Sequence, residues 1–573
     1  MMAAEQTTQP VPANPNGARV PAVKGGFSGL AALEAALWIA VVLAGAGLRL
    51  VALAGRPLSI LEGHAAFEAW SFAQGHVPAD WPGSLAGATQ ALLIKLFGPS
   101  DAVARCSPAL VGTALIASVW LLRPWLGRVA GLAGALLLAL SPIMVNDARS
   151  ASGDAWGALV FVLLTWQVLR FLRLPAPRTL ILVCFLFCVG LGTDAVFVGL
   201  TALLALWLLV RHVWLEDREV HCAWAALRSH RDWLVSAAPL SLAALLLVVS
   251  RFGTVPERLR PAALDSFARV FAPQRPGVPW HYFLDVLAGY ELPMLLLAAL
   301  GAWLVLRTGR EALREAGGLL VVLAGGGALL SLVAASRDPS TLVLAAMPLA
   351  LLGGLAMAHF GERLLDVRID APDALIALSF GVALVFTVLA AYEVNTGANT
   401  HTFWPWLGVL VAIMCLGAAA LRGYYEGMPA ASLTLVMLLA VGLLFELFGA
   451  GSVAFAGGDE FLIGQRTTRQ AVAMAALLEA NNGGVAGVST ELLPPLAWYL
   501  RDTVLSGGHG QAQIIEASGQ IPAGFVTADQ PALISRGWSP STFDASGMIR
   551  WWLSRAAWGS TDDLNARLVV RGQ

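Results

Sequence analysis

The sequence predicts an α-helical polytopic membrane protein with a small α/β domain at its C-terminus. Three observations predict it. Hydrophobic residues make up 57% of the 573, and charged residues only 13%. A soluble globular chain carries about 25% charged residues, so this chain cannot cover a water-facing surface and lipid must solvate most of it. Apolar stretches near the roughly 20 residues needed to cross a hydrocarbon core recur along most of the chain. After Gly451 the composition shifts and short alternating elements replace the apolar runs.

The elements follow in order. Residues 1–29 contain Pro, Ala and Asn and lack an apolar core, so they read as a disordered cytosolic tail and not as a signal peptide. The first span, 30–54, is too long for a cleaved signal and reads as a signal anchor. Twelve further spans are expected near 107–122, 127–145, 154–172, 179–192, 195–214, 233–250, 285–306, 317–335, 341–358, 373–391, 404–421 and 430–450. The run from Thr179 to Trp214 is long enough for two spans, with Gly192-Thr193-Asp194 as its only polar break. Between the first two spans, a loop over 55–106 carries two amphipathic stretches, Glu62–Gln74 and Leu85–Leu96. They read as helices lying in the membrane interface. A second long loop, 251–282, is rich in Pro and Arg.

Charge gives the orientation. With the N-terminus cytosolic, arginines fall in the inner loops: Arg123 and Arg128, then Arg170, Arg173 and Arg178, then Arg211, Arg218, Arg228 and Arg231, then Arg307, Arg310 and Arg314, then Arg363 and Arg368, then Arg422. The short outer loops are poorer. An odd span count puts residues 451–573 outside. There, Thr467–Asn481 and Glu491–Arg501 read as helices, and Val485–Val488, Gln513–Glu516 and Phe525–Thr527 as strands. This α/β domain has no Gly-rich phosphate loop and no nucleophile elbow. Its Trp538, Trp551, Trp552 and Trp558 suit carbohydrate stacking, the membrane interface or a small core. The five cysteines form no CxxC pair and no metal-spaced cluster, so no metal or other cofactor is expected. The net charge is −1 and no basic run dominates, so no nucleic-acid partner is expected.

Ionisable groups beside the membrane are costly and therefore informative. On the outer side these are Glu62, His64, Glu68, Asp147, Arg149, Asp154, Asp194, Arg337, Asp338 and Glu393. Glu62 opens an amphipathic stretch, where it could take a proton from an acceptor hydroxyl or interact with the helix dipole. His64 and Glu68 stand four apart and read as a pair. Asp147 and Asp154 are seven apart and would share a face of a continuous helix. Arg149 suits a phosphate or an Arg–Asp bridge. Asp194 interrupts an apolar run, which a hairpin turn also explains. Arg337-Asp338-Pro339 reads as a turn.

Read together, these pieces resemble a family. Leu58-Ser-Ile-Leu-Glu-Gly-His-Ala-Ala-Phe-Glu-Ala-Trp70 sits where GT-C-fold glycosyltransferases carry an acidic motif in their first outer loop. Leu96–Gly112, Leu122-Arg-Pro-Trp-Leu-Gly-Arg128 and Leu140-Ser-Pro142 follow in an order similar to the protein O-mannosyltransferase-like family 39. Pro279–Pro293, Leu496-Ala-Trp-Tyr-Leu-Arg-Asp502 and Trp551–Gly559 resemble its flippase-activity-associated branch of the archaeal N-glycosylation type. The resemblance covers most of the chain in order, although each motif is individually loose. It implies a GT-C-like membrane domain over 30–450. It also implies an enzyme of the cytoplasmic (inner) membrane that takes a sugar from a polyprenyl-phosphate-linked donor at the outer face. The implied partners are that donor, membrane lipid, and an acceptor that is an unknown glycan, lipid or protein. Glu62 falls on the second acid of the outer-loop pair and Asp154 on the acid that opens the fourth span, which makes both candidate catalytic residues. Arg105 and Arg149 fall on recurrent arginines and, with Asp194 and Arg337, are the candidate substrate-binding residues. The first acid of the pair is Leu61 here, and Arg337-Asp338 replaces the Glu-Lys pair of the branch. A second reading is a non-catalytic membrane protein that assists lipid-linked glycan flipping or assembly. A transporter is a third, disfavoured by the lack of an inverted repeat or broken-helix pair in the sequence.

Overall fold

The computed structural model describes residues 26–571 apart from 78–82, 152–153, 251–260, 273–277, 309–314, 365–370, 396–400, 402, 427, 456–459, 461, 464, 481–484, 489–491, 503–511, 528–529, 539–543, 556–557 and 559–560. The tail expected over 1–29 lies outside the described residues up to position 25. So do Asn481 and Glu491 of the expected helices, and Ala556, Ala557 and Gly559 of the last segment quoted above.

Helix α1 (Gly26–Leu50) leads into the first long loop, which carries α2 (Ile60–Ala73) and α3 (Leu85–Phe97) where two amphipathic helices are expected. The chain continues through α4 (Asp101–Ser118), α5 (Arg123–Leu126), α6 (Arg128–Leu140), α7 (Pro142–Ala148), α8 (Ala155–Arg173), α9 (Pro177–Gly190), α10 (Ala195–Val213), α11 (Arg218–Ser229) and α12 (Arg231–Val249). The second long loop contains α13 (Ala262–Val270). Then come α14 (Tyr282–Tyr290), α15 (Leu292–Thr308), α16 (Ala316–Val333), α17 (Val343–Leu364), α18 (Ala371–Asn395), α19 (Phe403–Glu426) and α20 (Met428–Phe455).

The protein is a multi-pass membrane protein. Every expected span meets a helix, but not every one is a full crossing. Among the described residues ten helices are long and apolar enough to cross a membrane, and two bent pairs bring the number to twelve. The thirteenth, α9, has 14 residues, or about 21 Å of helix against a core of about 30 Å. The bends have local causes. Ser141 precedes Pro142, which disfavours the α region, and it lies at ψ 118° where α6 and α7 meet at 65°. The 96° bend between α14 and α15 falls at Glu291, two residues before Pro293. Glu291 fastens both bends by accepting hydrogen bonds from the Ser141 hydroxyl at 2.5 Å and the Ile143 N–H at 3.0 Å.

The core lies around α17, whose span is the most buried of those long enough to cross. It packs on α6 through Gly134 and Gly354. A Cβ on Gly354 would sit 2.5 Å from the Gly134 nitrogen, so only glycine allows this approach.

The C-terminal domain is a six-stranded sheet with α21 (Arg469–Ala480), α22 (Leu493–Leu496) and α23 (Ala545–Ser554). Its strands are β1 (Gln465–Thr467), β2 (Val485–Val488), β3 (Ala512–Glu516), β4 (Phe525–Thr527), β5 (Ala532–Gly537) and β6 (Asp562–Arg571). The order is β1-β5-β6-β3-β2, with β4 also on β6; only β2 and β3 are parallel. The three expected strands and α21 stand where the sequence puts them. The helix expected over 491–501 is broken: among the described residues regular helix covers Leu493–Leu496, 497–500 form turns, and helix resumes at Arg501. In the turns Trp498 and Tyr499 donate to the Asp101 carboxylate at 2.8 and 3.1 Å, and the Leu58 N–H donates to the Tyr499 oxygen at 2.8 Å. The domain therefore lies on the same membrane face as the loop that carries α2 and α3.

The tryptophan cluster forms the joint to the membrane domain. Trp551 is 0% exposed and meets Tyr290 edge-on at 4.9 Å, while the Trp552 indole donates to the Gly289 carbonyl at 2.8 Å. Burial of Trp538 and Trp551 leaves those faces closed to carbohydrate. Beside them the Tyr290 hydroxyl donates to Glu460, and Arg555 reaches Glu460 at 3.6 Å and stacks over Trp551 at 4.2 Å.

Candidate active site

The site is built on α2. Ser59 caps this helix: its hydroxyl accepts from the Glu62 N–H at 3.3 Å, and the Glu62 carboxylate accepts from the Ser59 N–H at 2.8 Å. Arg105 of α4 then closes on Glu62 through two hydrogen bonds, 2.7 Å from Nε and 2.9 Å from Nη2, and the Ala151 N–H adds a third donor at 3.2 Å. Both side chains are 1% exposed. Burial by itself would raise the Glu62 carboxyl. The Arg105 charge and hydrogen bonds, with Arg56 and the Ser59 N–H, reverse this and hold it at about 2. The rest of the Arg105 guanidinium donates to the carbonyls of Leu53, Arg56 and Pro57.

Glu62, a candidate catalytic residue by the resemblance, is held in this buried ion pair. It bolts α2 to α4 and is not among the residues lining the cleft. The helical period gives the reason. Leu61, His64, Ala65 and Glu68 share the face of α2 that lines a cleft of about 290 Å³, and Glu62 points the other way. Leu61 is 52% exposed and lies on the cleft face. The expected His64–Glu68 pair is there, at 3.4 Å.

The opposite walls come from four other segments: the N-termini of α8 and α10, helix α13, and the turn before α17. They contribute Asp154, Asp194, Arg269 and Asp338. Asp154 stands one residue ahead of the α8 span. It occupies the N-cap position at φ −95°, ψ 20°, yet its side chain makes no cap hydrogen bond. It is instead hydrogen-bonded to the Ser340 side chain and feels the charges of Asp338 and Arg269. Burial, and the negative charge of Asp338, push its carboxyl up to about 7. The Asp154 N–H donates to Asp147 at 2.8 Å. The break between α7 and α8 means that Asp147 and Asp154 do not share the face of one helix.

Asp194 does the capping that Asp154 does not. One oxygen accepts from the Val196 and Phe197 N–H groups of α10 at 3.1 and 3.3 Å, and the other from the Gly157 N–H of α8 at 2.7 Å. A Cβ on Gly157 would lie 1.9 Å from the Asp194 carboxylate.

Two of the candidate substrate-binding residues, Arg149 and Arg337, hold helix ends. Arg149 donates to the carbonyls of Leu48, Arg49, Val51 and Ala52, at 2.8–3.3 Å, and so caps the end of α1. Its partners are carbonyls and not the aspartate of a hairpin bridge. Arg337, in the left-handed region at φ 53°, donates to Leu332 and Ala334 at the end of α16, while its neighbours Ser336 and Asp338 line the cleft. Arg269 was not singled out in the sequence. The amphipathic stretch Ala262–Val270 inside the Pro- and Arg-rich loop is the signal that finds it.

This architecture matches solved structures along nearly its full length. ArnT from Cupriavidus metallidurans bound to undecaprenyl phosphate aligns over 95% of this chain and 98% of its own, with a TM-score of 0.53 and 17% identity. The chain has the GT-C fold. The same GT-C scaffold aligns with apo ArnT (TM-score 0.51, 20% identity, 83% of this chain and 85% of that one). It also aligns with the apo oligosaccharyltransferase of Archaeoglobus fulgidus (TM-score 0.51, 10% identity, 84% and 69%). Residues 83–249 match the family model "Dolichyl-phosphate-mannose-protein mannosyltransferase". No curated protein matches the sequence.

Proposed function

We propose that this protein is a membrane glycosyltransferase that takes a sugar from a polyprenyl-phosphate-linked donor at the outer face of the cytoplasmic membrane. The observation that carries the reading is Asp154. Its carboxyl group is spared from helix capping, faces the cleft beside Asp338, and sits across from a cation, Arg269. The GT-C fold and the match over 83–249 support the same class of reaction.

In this reading the isoprenoid tail stays in lipid and the donor phosphate enters the cleft against Arg269. Asp154 takes the proton of the acceptor hydroxyl or amine as the acceptor atom bonds to the anomeric carbon. The bond from that carbon to the phosphate oxygen breaks, and its electron pair leaves on the polyprenyl phosphate. A carboxyl group held near 7 is matched to this task at neutral pH. The acceptor is a glycan, lipid or protein bearing such a nucleophile.

Asp154→Asn, assayed in proteoliposomes with a panel of polyprenyl-phosphate sugars, tests the reading. Loss of transfer with an unchanged thermal midpoint is expected, and full activity would overturn the assignment. A second reading rests on Leu61, which puts an apolar side chain where the outer-loop acid stands in the family. Under it the protein handles lipid-linked glycans without transferring sugar, and the wild type would turn over no lipid-linked donor.

A further inference from the structure

Asp194 and Gly157 form a clamp whose consequence reaches Asp154. An Asp at an N-cap normally turns its carboxylate onto the N–H of the second or third helical residue. For α8 the third residue is Gly157, and its N–H is already taken by Asp194 at 2.7 Å. The other Asp194 oxygen serves α10. Asp147 holds the Asp154 backbone N–H from the other side. Glycine is required at 157, because any Cβ there would collide with the carboxylate.

We propose that Asp194 is a positioning residue: by occupying the Gly157 N–H it withdraws the third-residue capping donor of α8 from Asp154 and favours the Asp154 carboxylate turned into the cleft. The inference rests on the glycosyl-transfer reading for its kinetic consequence, but not for the clamp itself.

If the clamp opens, Asp154 turns back to cap α8. Its charged form then gains a backbone hydrogen bond, which makes it a weaker base and points it away from the acceptor. The other charged groups facing it are unaltered by the variants: His64 and Glu68 on α2, Asp147 on α7, Arg269 on α13 and Asp338 before α17.

Asp194→Asn opens the Gly157 side and also removes a carboxyl that interacts electrostatically with Asp154, so the displacement of the acid limb is judged on Gly157→Ala. In Asp194→Asn the remaining side-chain oxygen can still cap α10, while the amide NH₂ meets the Gly157 N–H, donor to donor. Gly157→Ala opens the same contact from the other partner and leaves every charge in place. The experiment measures kcat, KM and the pH profile of sugar transfer for the wild type, each variant and the double variant in proteoliposomes. The expected result is a kcat lower by about 100-fold, an unchanged donor KM, and an acid limb displaced to lower pH. The double variant is expected to be no worse than the more impaired single one. Multiplying losses, or an acid limb of Gly157→Ala that stays where it is in the wild type, would overturn the proposal.

Carbodiimide labelling of Asp154, followed by mass spectrometry across pH, reads the clamp without turnover. Both variants are expected to label less, with the midpoint at lower pH. Labelling identical to wild type overturns the clamp. Absence of transfer by the wild type instead overturns the glycosyltransferase reading, and the labelling then decides the clamp alone.

Discussion

Replacing Glu62 by Gln separates a structural carboxylate from a chemical one. The substitution keeps the shape of the side chain and an oxygen for the Ser59 N–H, but it leaves the Arg105 guanidinium charged and buried without its counter-ion. The depression of the Glu62 carboxyl from 4.5 to about 2 corresponds to about 3 kcal/mol at about 1.4 kcal/mol per tenfold change in proton affinity. Breaking a buried ion pair by removing one partner costs about 3–5 kcal/mol, in agreement. Because Glu62 ionises more readily in the folded than in the unfolded chain, this contribution is complete above about pH 4.5. It is lost as the pH falls from there toward 2. Glu62→Gln is therefore expected to lower the thermal midpoint of the detergent-purified protein by several degrees at neutral pH, read by tryptophan fluorescence. The deficit should narrow as the wild type is acidified below pH 4.5, while kcat per folded molecule is retained. A variant as stable as wild type but unable to transfer sugar would refute this reasoning and return Glu62 to the chemistry.

Other outcomes follow from the same geometry. The acid limb of wild-type kcat is expected near pH 7, since Asp154 must be ionised to accept a proton and its carboxyl is held up at about 7; a rate independent of pH between 5 and 8 would remove it as the base. Arg269→Gln is expected to raise the donor KM about tenfold, one charge-assisted hydrogen bond to an exposed phosphate being lost, and an unaltered KM would exclude Arg269 from the phosphate. Trp551→Ala is expected to cost about 3–5 kcal/mol and to open the chain between the last span and β1 to limited proteolysis; a cleavage pattern like that of wild type would show that the tryptophan joint does not hold the C-terminal domain.

Composition and period were enough to read the solvent, the class of fold and most element positions. Lipid demands long apolar helices, and every such run became a helix. The α2 and α3 stretches, β2 and β4 also stand where alternation puts them. Helix length was legible only roughly, which is why α9 is a short helix where a full span was expected. The last strand, β6, was missed because its identity comes from pairing with β3, β4 and β5, and pairing is long-range. At the site, the sequence singled out Asp154 and Asp194 because charge beside a membrane is costly wherever it stands. It could not distinguish their tasks, since neighbours in space decide which N–H each carboxylate meets. Glu62 shows the same limit from the other direction. Its sequence context matches an acidic motif, but the 100° step of the helix turns it toward Arg105 and leaves Leu61 facing the cleft. What the residues alone determined was a membrane scaffold with acids gathered at one face. Which acid reaches the cavity was decided by tertiary structure, because a carboxylate becomes available for chemistry only when other groups have satisfied the donors around it.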